Sequence, residues 1–397
     1  MSEPRRLSQT SLIALALAFL PGLVTAQGPS AAVRLVRTIP AEQADLTRVA
    51  DMAASVTGIV AVAQPEDHVV KLFLPNGRTR TVGREGEGPG DFRTPINVGW
   101  DLDTLWVIDG VLQRVSVFQS DGQLIRTTTV PDADALRRGM RGRSSVAFRP
   151  VLVGVGPAHM GVLALITAPS EERDPLGSPG RAAGPALYGV NLHSGDGLIS
   201  LGRQPRSESI QCRVRVDNSS SSFGFRLPWC SEGEFALSPT GAWLATATPE
   251  RTSVASEFIV HVELRSRRGV VRYAVDLPVG SAAISSAEVD RMRVAITGRR
   301  TVPPSLRQAI RDTEFPTHFP PVDGLLVSEL GDVWLRRSVD VAGSEWIVLG
   351  PDGTRRATVR CPAGVEPRFI GTDSVWGTSR SELDELSLVE FEVRLGR

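Results

Sequence analysis

An all-β fold, a six-bladed β-propeller, is predicted for this 397-residue chain by a repeated strand signature and by the turns that follow it. The signature is a Gly or Asp followed by a β-prone run, often with tryptophan in the same place. Its six copies are residues 58–63, 103–109, 161–166, 241–247, 331–337 and 373–379. Six similar units of three or four strands favour a propeller, because radial repetition leaves only short sheet edges.

A second strand follows the first after a short loop in each unit, most clearly in residues 68–82, 113–127 and 345–359. Turn tripeptides stand between the β-branched runs of these segments, as is typical of tight hairpins. They are Pro75-Asn76-Gly77, Ser120-Asp121-Gly122 and Pro351-Asp352-Gly353. Weaker versions of the strand occur near Leu187, Ile259 and Val389.

Four tryptophans hold nearly equivalent places in the repeats, namely Trp106, Trp243, Trp334 and Trp376. A stacking platform for sugars is one interpretation. Their regular strand position favours packing between neighbouring blades, where a large aromatic side chain contributes most to the core.

A strand is expected at residues 34–39 (RLVRTI), ahead of the first repeat, whereas the last repeat ends with the chain. The simplest arrangement is that this N-terminal strand completes the last blade. Such closure protects an otherwise open sheet edge.

Two insertions explain the long interval between the third and fifth repeats. Residues 168–184 are rich in Gly, Pro and charge, which predicts a surface loop. Residues 284–311 have a helical pattern, with Ser285 and Glu288 as a capping box and a second helix after Pro303-Pro304. The apolar positions of these helices are expected to dock on the propeller, and a partner-binding helix is the alternative; they are Val289, Met292, Ile296, Leu306 and Ile310.

The N-terminus predicts export. Arg5 and Arg6 precede a short apolar run at residues 12–23, and small residues before Gln27 suit a signal peptidase. We therefore expect a signal peptide over residues 1–26 and a single propeller domain over 27–397, secreted or periplasmic. No run approaches the roughly 18 to 20 apolar residues that a membrane span needs.

The charge balance argues against a nucleic-acid partner, and the cysteines suggest one disulfide. Forty-four basic residues balance forty-four acidic ones, which removes the basic excess that nucleic-acid binding requires. In an oxidising compartment, Cys212 and Cys230 are the expected disulfide, with Cys361 left as a buried thiol. Three unpaired buried thiols remain the alternative. The three cysteines and five histidines make no zinc pattern.

The segment GREGEGPGDF, residues 83–92, with Pro95 and the strands LWVID and QRVSVF after it, resembles bacterial secreted six-bladed propeller proteins. That family is largely uncharacterised and is related to NHL-repeat propellers. The helical insert leading to residues 319–335 is similar too, so the resemblance covers the whole mature chain. It implies the fold and no particular activity. The third and fourth repeats match least well, which leaves their strand boundaries open.

In a propeller, residues 83–92 run from the outermost strand of the first blade to the innermost strand of the second. Gly86, Gly88 and Gly90 are expected to take positive φ there, and Phe92 and Pro95 to anchor the loop. Its ten residues contain neither phosphate-binding motif, G-x-G-x-x-G before a helix or G-x-x-x-x-G-K-[ST].

The charged residues of this loop and its neighbours are the candidate ligand-binding set. They are Glu66, Asp67, Arg84, Glu85, Glu87, Asp91 and Asp109. A ring of carboxylates near a central opening would bind a cation or a basic ligand. Solvated charges, with Arg84 paired locally, are the alternative, and such exposed pairs contribute only about 0–1 kcal/mol each.

The sequence therefore predicts a non-catalytic scaffold that binds an unidentified ligand or protein partner through its loop face. The alternative is a calcium-dependent, lactonase-like hydrolase with carboxylates in the central channel. No G-x-S-x-G motif is present. No catalytic residue and no metal ligand is assigned, and calcium is the single cofactor considered.

Overall fold

The computed structural model contains 27 β-strands and four α-helices within the residues that it describes. It describes residues 30–139, 148–155, 160–167, 186–192, 197–203, 213–217, 222–230, 233–252, 254, 256–299, 302–338, 344–371 and 374–394. The predicted signal peptide and the predicted loop at 168–184 lie outside these residues. Among the described residues, no helix is both long and apolar enough to cross a membrane.

Six antiparallel sheets form the blades of the predicted propeller, and each has at least four strands. The first two blades contain only strands that follow one another in the sequence. Blade 1 consists of β3 (Asp51–Ala54), β4 (Val60–Gln64), β5 (Val69–Phe73) and β6 (Thr79–Val82). Blade 2 consists of β7 (Pro95–Asp101), β8 (Thr104–Asp109), β9 (Arg114–Gln119) and β10 (Leu124–Thr129).

The third and fourth blades, whose limits the sequence left open, follow the same order. Blade 3 consists of β11 (Phe148–Val155), β12 (Met160–Thr167), β13 (Ala186–Asn191) and β14 (Ile199–Arg203). Blade 4 consists of β17 (Glu234–Leu237), β18 (Trp243–Arg251), β19 (Glu257–Ser266) and β20 (Val271–Gly280).

The last two blades each include a strand from the N-terminus. Blade 5 consists of β21 (Gly324–Val327), β22 (Val333–Ser338), β23 (Ser344–Leu349) and β24 (Arg355–Arg360), to which β1 (Ser30–Ala31) adds in parallel. Blade 6 consists of β25 (Val365–Ile370), β26 (Val375–Arg380) and β27 (Leu386–Val393), completed by β2 (Val33–Ile39).

The closure by the N-terminal strand is confirmed. β2 runs antiparallel to β27, with Val33 opposite Val393 and Ile39 opposite Leu388. The Arg34 Nε–H also donates to Glu392 Oε2 at 2.9 Å across the same pair of strands. The outer edge of the last blade is therefore covered by the start of the folded chain, as the unpaired strand pattern predicted.

The repeated signature corresponds to the second strand of every blade, namely β4, β8, β12, β18, β22 and β26. All five residues of β4 are buried, because a second strand is covered on both faces by neighbouring blades. Three of the four signature tryptophans are buried there as predicted, and the fourth, Trp243, is half-buried against the cluster of blades 4 and 5. Trp106, Trp334 and Trp376 are 7%, 2% and 4% exposed. Trp106 belongs to the same apolar cluster as Leu152 of blade 3.

Successive antiparallel strands give the disc two different faces. The connections between blades and the turns between second and third strands share one face, which we call the connection face. It carries α1 (Ala41–Ala44), α2 (Ala133–Gly139), α3 (Ser286–Thr297) and α4 (Pro304–Asp312). A separate hairpin, β15 (Arg213–Asp217) with β16 (Ser222–Arg226), also lies between two blades on this side.

The helical insertion forms as predicted, with the Glu288 N–H donating to the Ser285 Oγ at 3.2 Å. The apolar side of its helices packs on another inserted element. Ile296, Leu306 and Ile310 share an apolar cluster with Val214 of the hairpin, and that cluster contains no blade strand. The sequence concealed this partner, because the serine-rich segment between Cys212 and Cys230 has the composition of a loop.

Candidate functional site

The predicted site begins at residues 83–92, the glycine-rich loop, which crosses from β6 to β7 as expected. Gly90 takes positive φ (+81°), but Gly86 and Gly88 do not, which corrects the prediction for those two. A Cβ at Gly86 or Gly88 would lie 2.7 or 2.8 Å from Asp91 Oδ2. These two glycines therefore make room for a carboxylate rather than allow a left-handed turn.

Phe92 anchors the loop, as predicted. It is fully buried, and its ring centroid lies 6.0 Å from that of Phe118 in blade 2. Gly83 has φ +77°, and a Cβ at that position would overlap the Phe92 ring. Pro95 is buried at the start of β7. The loop is thus held by apolar packing as well as by its backbone geometry.

Arg114, which the sequence did not single out, holds the loop from below. Its Nη1–H donates to the Glu87 carbonyl, and its Nη2 donates to the carbonyls of Gly88 and Asp91, all at 2.7 Å. Arg114 is only 8% exposed. A buried guanidinium bound to three backbone oxygens fixes the shape of the loop.

Asp109 has a structural role in the fold. Its Oδ2 accepts from the backbone N–H of Arg93 at 2.7 Å and of Thr94 at 3.1 Å. Its Oδ1 accepts from the N–H of Val111 at 2.9 Å and of Leu112 at 2.8 Å. Asp109 is 1% exposed, so the carboxylate joins the start of blade 2 to the turn after β8. Its role in ligand binding stays a prediction.

The other charges of the loop form local ion pairs; Arg84, Glu85 and Glu87 are exposed, whereas the Asp91 side chain is 19% exposed. Arg84 Nε–H donates to Asp91 Oδ1 at 3.0 Å, which is the local pairing considered from the sequence. Arg93 lies 3.2 Å from Glu85 Oε1 and 3.1 Å from Glu87 Oε1. The two glutamate side chains are 62% and 68% exposed. Solvent screens pairs of this kind strongly.

Glu66 and Asp67 lie apart from the loop, beside the entry to β3. Arg48 Nη1 lies 4.0 Å from Glu66 Oε1, and the Thr47 Oγ1–H donates to Asp67 Oδ2 at 2.8 Å. Thr47 and Arg48 also line a cavity of about 530 Å³. Two of the predicted residues therefore border the cavity without lining it.

This cavity, the channel-mouth cavity, lies where the central channel opens on the connection face. Its lining comes from the entry to β3, from β7, and from β25 to β27 of blade 6. The lining residues are Thr47, Arg48, Val49, Ala50, Ile96, Gly364, Glu366, Arg368, Thr378, Arg380 and Leu386. Its volume is within the range of small-molecule sites, about 300–1,000 Å³.

Arginine dominates the electrostatics of the cavity. Arg48, Arg368 and Arg380 line it, with Glu366 as the single carboxylate. Glu366 is already shared: its Oε1 accepts from Arg336 Nη1, and its Oε2 accepts from Arg368 Nη2, each at 2.9 Å. Three arginines and one carboxylate therefore line the opening, and Arg48 and Arg380 pair with the exposed carboxylates Glu66 and Asp384 just outside it.

Asp51 and Asn97 form a second polar layer of the channel wall, joining blades 1 and 2. Asp51 Oδ2 accepts from the Val98 N–H at 3.1 Å and from Asn97 Nδ2 at 3.3 Å. Burial raises the pKa of Asp51 to about 6, although these hydrogen bonds and the charge of Arg368 oppose the rise. Asp51 is thus a carboxylic acid that changes charge between acidic and neutral pH near the arginines of the cavity.

Sequence reasoning missed the channel-mouth residues because they are scattered over blades 1, 2 and 6. One signal was present: charged residues in first strands, which line a propeller channel. Glu366 and Arg368 stand two residues apart in β25, and both side chains line the cavity. The glycine-rich loop attracted the prediction instead, because its charges are contiguous.

The described residues do not bring together the carboxylates that the calcium centre of the alternative hydrolase needs. Calcium takes six to eight oxygen ligands, several of them carboxylates. Within the described ranges, no three His, Cys, Asp or Glu side chains come together in a group that could hold a metal. The carboxylate of the channel mouth, Glu366, is bound by two arginines instead.

The cysteines are partly described. Cys230 is disulfide-bonded, and Cys361 is free. The expected partner Cys212 lies outside the described residues, so the pairing stays a prediction. Burial raises the pKa of the Cys361 thiol to about 12, and this side chain packs against the cluster between blades 5 and 6.

No protein-family model matches the chain, and no curated protein matches it. Among solved structures, it is similar to a member of the DUF4221 family from Bacteroides vulgatus, at 11% identity and a TM-score of 0.48, covering 93% of this chain and 100% of that one. It is also similar to regucalcin, a calcium-binding protein of Agrobacterium tumefaciens, at 13% identity and a TM-score of 0.39, covering 93% and 98%. A gluconolactonase from Xanthomonas campestris matches at 13% identity and a TM-score of 0.39, covering 92% and 97%. These likenesses concern the fold alone.

Proposed function

We propose that this protein is an exported, non-catalytic propeller that binds a small organic anion at the channel-mouth cavity. The observation that carries the proposal is the convergence of Arg48, Arg368 and Arg380 on one cavity that has a single carboxylate in its lining. Guanidinium groups bind carboxylates and phosphates through paired, charge-assisted hydrogen bonds.

Arg368 is the central residue of the proposed site. Its side chain is 33% exposed, compared with 66% for Arg48 and 50% for Arg380. Arg368 is held by Glu366 from one side, so its orientation is fixed before the ligand arrives. The two outer arginines have exposed carboxylate partners, Glu66 and Asp384, which an incoming anion would displace at little cost.

Export is supported by two features of the chain. The apolar run at residues 12–23 follows two arginines and precedes small residues, as in a signal peptide. Cys230 forms a disulfide, and disulfides persist mainly in oxidising compartments outside the cytoplasm.

Isothermal titration calorimetry at low ionic strength tests the binding proposal, with succinate, citrate and inorganic phosphate as probes. We expect at least one of them to bind wild-type protein, and Arg368→Gln to weaken that binding by about tenfold or more, because a charged partner is lost. Arg84→Gln is the matched control, because Arg84 lies on the same face but in the glycine-rich loop. Failure of all three probes, or equal affinity in Arg368→Gln and wild type, would refute the proposal.

A further inference from the structure

A second cavity lies on the connection face, between the inserted elements and blade 5. It has a volume of about 480 Å³, and we call it the insert cavity. Its walls come from the end of the β15–β16 hairpin, from α3, from the first residue of β17 in blade 4 and from the segment before β21. The lining residues are Phe225, Leu227, Pro228, Trp229, Cys230, Glu234, Met292, Ile296, Arg299, Pro320, Val322 and Asp323.

Most side chains that line this cavity are apolar, although polar and apolar atoms contribute almost equally to its surface, and one side is aromatic. Three of the twelve lining residues have a charged side chain, namely Glu234, Arg299 and Asp323. The other nine do not ionise, and they include Cys230, which is disulfide-bonded. Trp229 packs edge-on against Phe319, with ring centroids 6.1 Å apart and an interplanar angle of 82°. The remaining surface of the indole lines the cavity, where a flat ring can stack on it.

Trp229 is held in this place at a conformational cost. Its φ is +58°, a left-handed value that costs a bulky residue about 1–2 kcal/mol. The neighbouring disulfide at Cys230 and the contact with Phe319 both restrain it. Apolar packing alone does not require a tryptophan in this conformation. An aromatic surface that faces a bound ligand would account for it.

The charged side chains of the cavity indicate which charge its ligand carries. The two carboxylates of the cavity already have partners: Glu234 makes a polar contact of its own, and Asp323 Oδ1 lies 3.6 Å from Arg336 Nε. Arg299, just after α3, is exposed, and its guanidinium has no hydrogen bond or ion pair within the part of the chain that the structure describes. A ligand anion is therefore the complementary group for this side chain.

We propose that the insert cavity binds a flat, apolar molecule that carries one acidic group, such as an aromatic carboxylic or sulfonic acid. The ring lies against Trp229, the apolar body packs on Met292 and Ile296, and the acidic group pairs with Arg299. This site is separate from the channel-mouth cavity and does not depend on anion binding there.

Two fluorescent probes with the same ring system test this site. 8-Anilino-1-naphthalenesulfonate carries an acidic group, and N-phenyl-1-naphthylamine does not. We expect the sulfonate to bind wild-type protein more tightly than the amine. Arg299→Gln should remove that preference, weakening only the sulfonate by about fivefold, as an exposed ion pair of about 1 kcal/mol predicts.

A variant that fills the cavity tests whether the probes bind there. Met292→Trp places a large side chain in the cavity and should weaken both probes about tenfold or more. Val294→Trp is the matched control, because Val294 is 70% exposed on the same helix. Circular dichroism and the unfolding temperature show whether each variant is folded. If Met292→Trp does not fold, Trp229→Phe takes its place. The smaller ring of phenylalanine should weaken binding of the sulfonate by about threefold.

The outcomes that overturn the proposal are distinct from failure of the channel-mouth site. Absence of sulfonate binding to wild-type protein overturns it, as does equal binding by Met292→Trp and Val294→Trp. Binding that survives Met292→Trp but is lost in Arg368→Gln would overturn it and assign the probe to the channel mouth. Loss of citrate binding with retained probe binding would refute only the proposed function.

Discussion

The glycine-rich loop and the channel mouth lie on the same face of the propeller, and both are rich in charge, but they use that charge differently. In the loop, the exposed glutamates Glu85 and Glu87 pair with a neighbour a few residues away. At the channel mouth, Glu366 is bound by Arg368 from its own strand and by Arg336 from another blade. Charges from distant segments that face one cavity indicate binding better than a dense local run does.

Within the loop region, the buried groups should matter most for stability. Asp109→Ala removes the acceptor of four backbone N–H groups in a site that is 1% exposed. The N–H groups would be left buried without partners, so we expect a loss on the order of 3–5 kcal/mol in the free energy of unfolding. Urea denaturation followed by circular dichroism measures it.

Asp121→Ala is the matched control for this variant. Asp121 also accepts a backbone N–H, from Gln123 at 2.9 Å, but in an exposed hairpin turn. Its replacement should cost less than about 1 kcal/mol. If both variants lose the same stability, the distinction between a buried structural carboxylate and the surface charges around it is wrong.

The fold was predictable because its information is repeated along the chain. The second-strand signature recurs once in every blade, and Trp106, Trp334 and Trp376 mark its buried position. The closing strand was predictable for a related reason, since one strand pattern stood unpaired at the start. The β15–β16 hairpin was not, because it occurs once and its composition is that of a polar loop.

The candidate site was predictable only in part. The sequence correctly placed the glycine-rich loop between two blades and gave Phe92 its anchoring role. The sequence did not predict that Arg114 holds this loop. Arg114 and Glu87 are separated by two strands in the sequence and come together only in the folded blade. Convergence of Arg48 and Arg368 requires the ring to close, and ring closure has no signature at either residue.

The channel cluster should also differ from the loop in its response to pH. Burial raises the pKa of Asp51 to about 6 from an ordinary value of 3.8. Between these two values the folded protein binds the proton and the unfolded chain releases it, so the contribution of Asp51 to stability is lost as pH rises from about 4 to about 6. The shift corresponds to about 3 kcal/mol at most.

Comparison with Asp51→Asn isolates this effect. Other carboxyls have the opposite dependence: the pKa of Asp45 is lowered, chiefly by its hydrogen bond to Lys71. Their contribution is present in both proteins and cancels in the difference. From pH 4 to pH 7.5, the free energy of unfolding of wild-type protein should fall relative to that of Asp51→Asn. A constant difference across that range would show that Asp51 is as well solvated as the loop glutamates.

The smallest effect is expected from those glutamates, and it bears directly on the loop as a candidate cation site. Glu85→Gln combined with Glu87→Gln removes two exposed pairs with Arg93 and should change the free energy of unfolding by less than about 1 kcal/mol. The same variant should leave any effect of added calcium on the unfolding temperature unchanged, because no third acidic group joins these two within the described residues. A calcium-dependent rise in wild-type unfolding temperature that the double variant abolishes would restore the loop as a cation site. That result would contradict the distinction between the exposed charges of the loop and the charges that line the channel-mouth cavity.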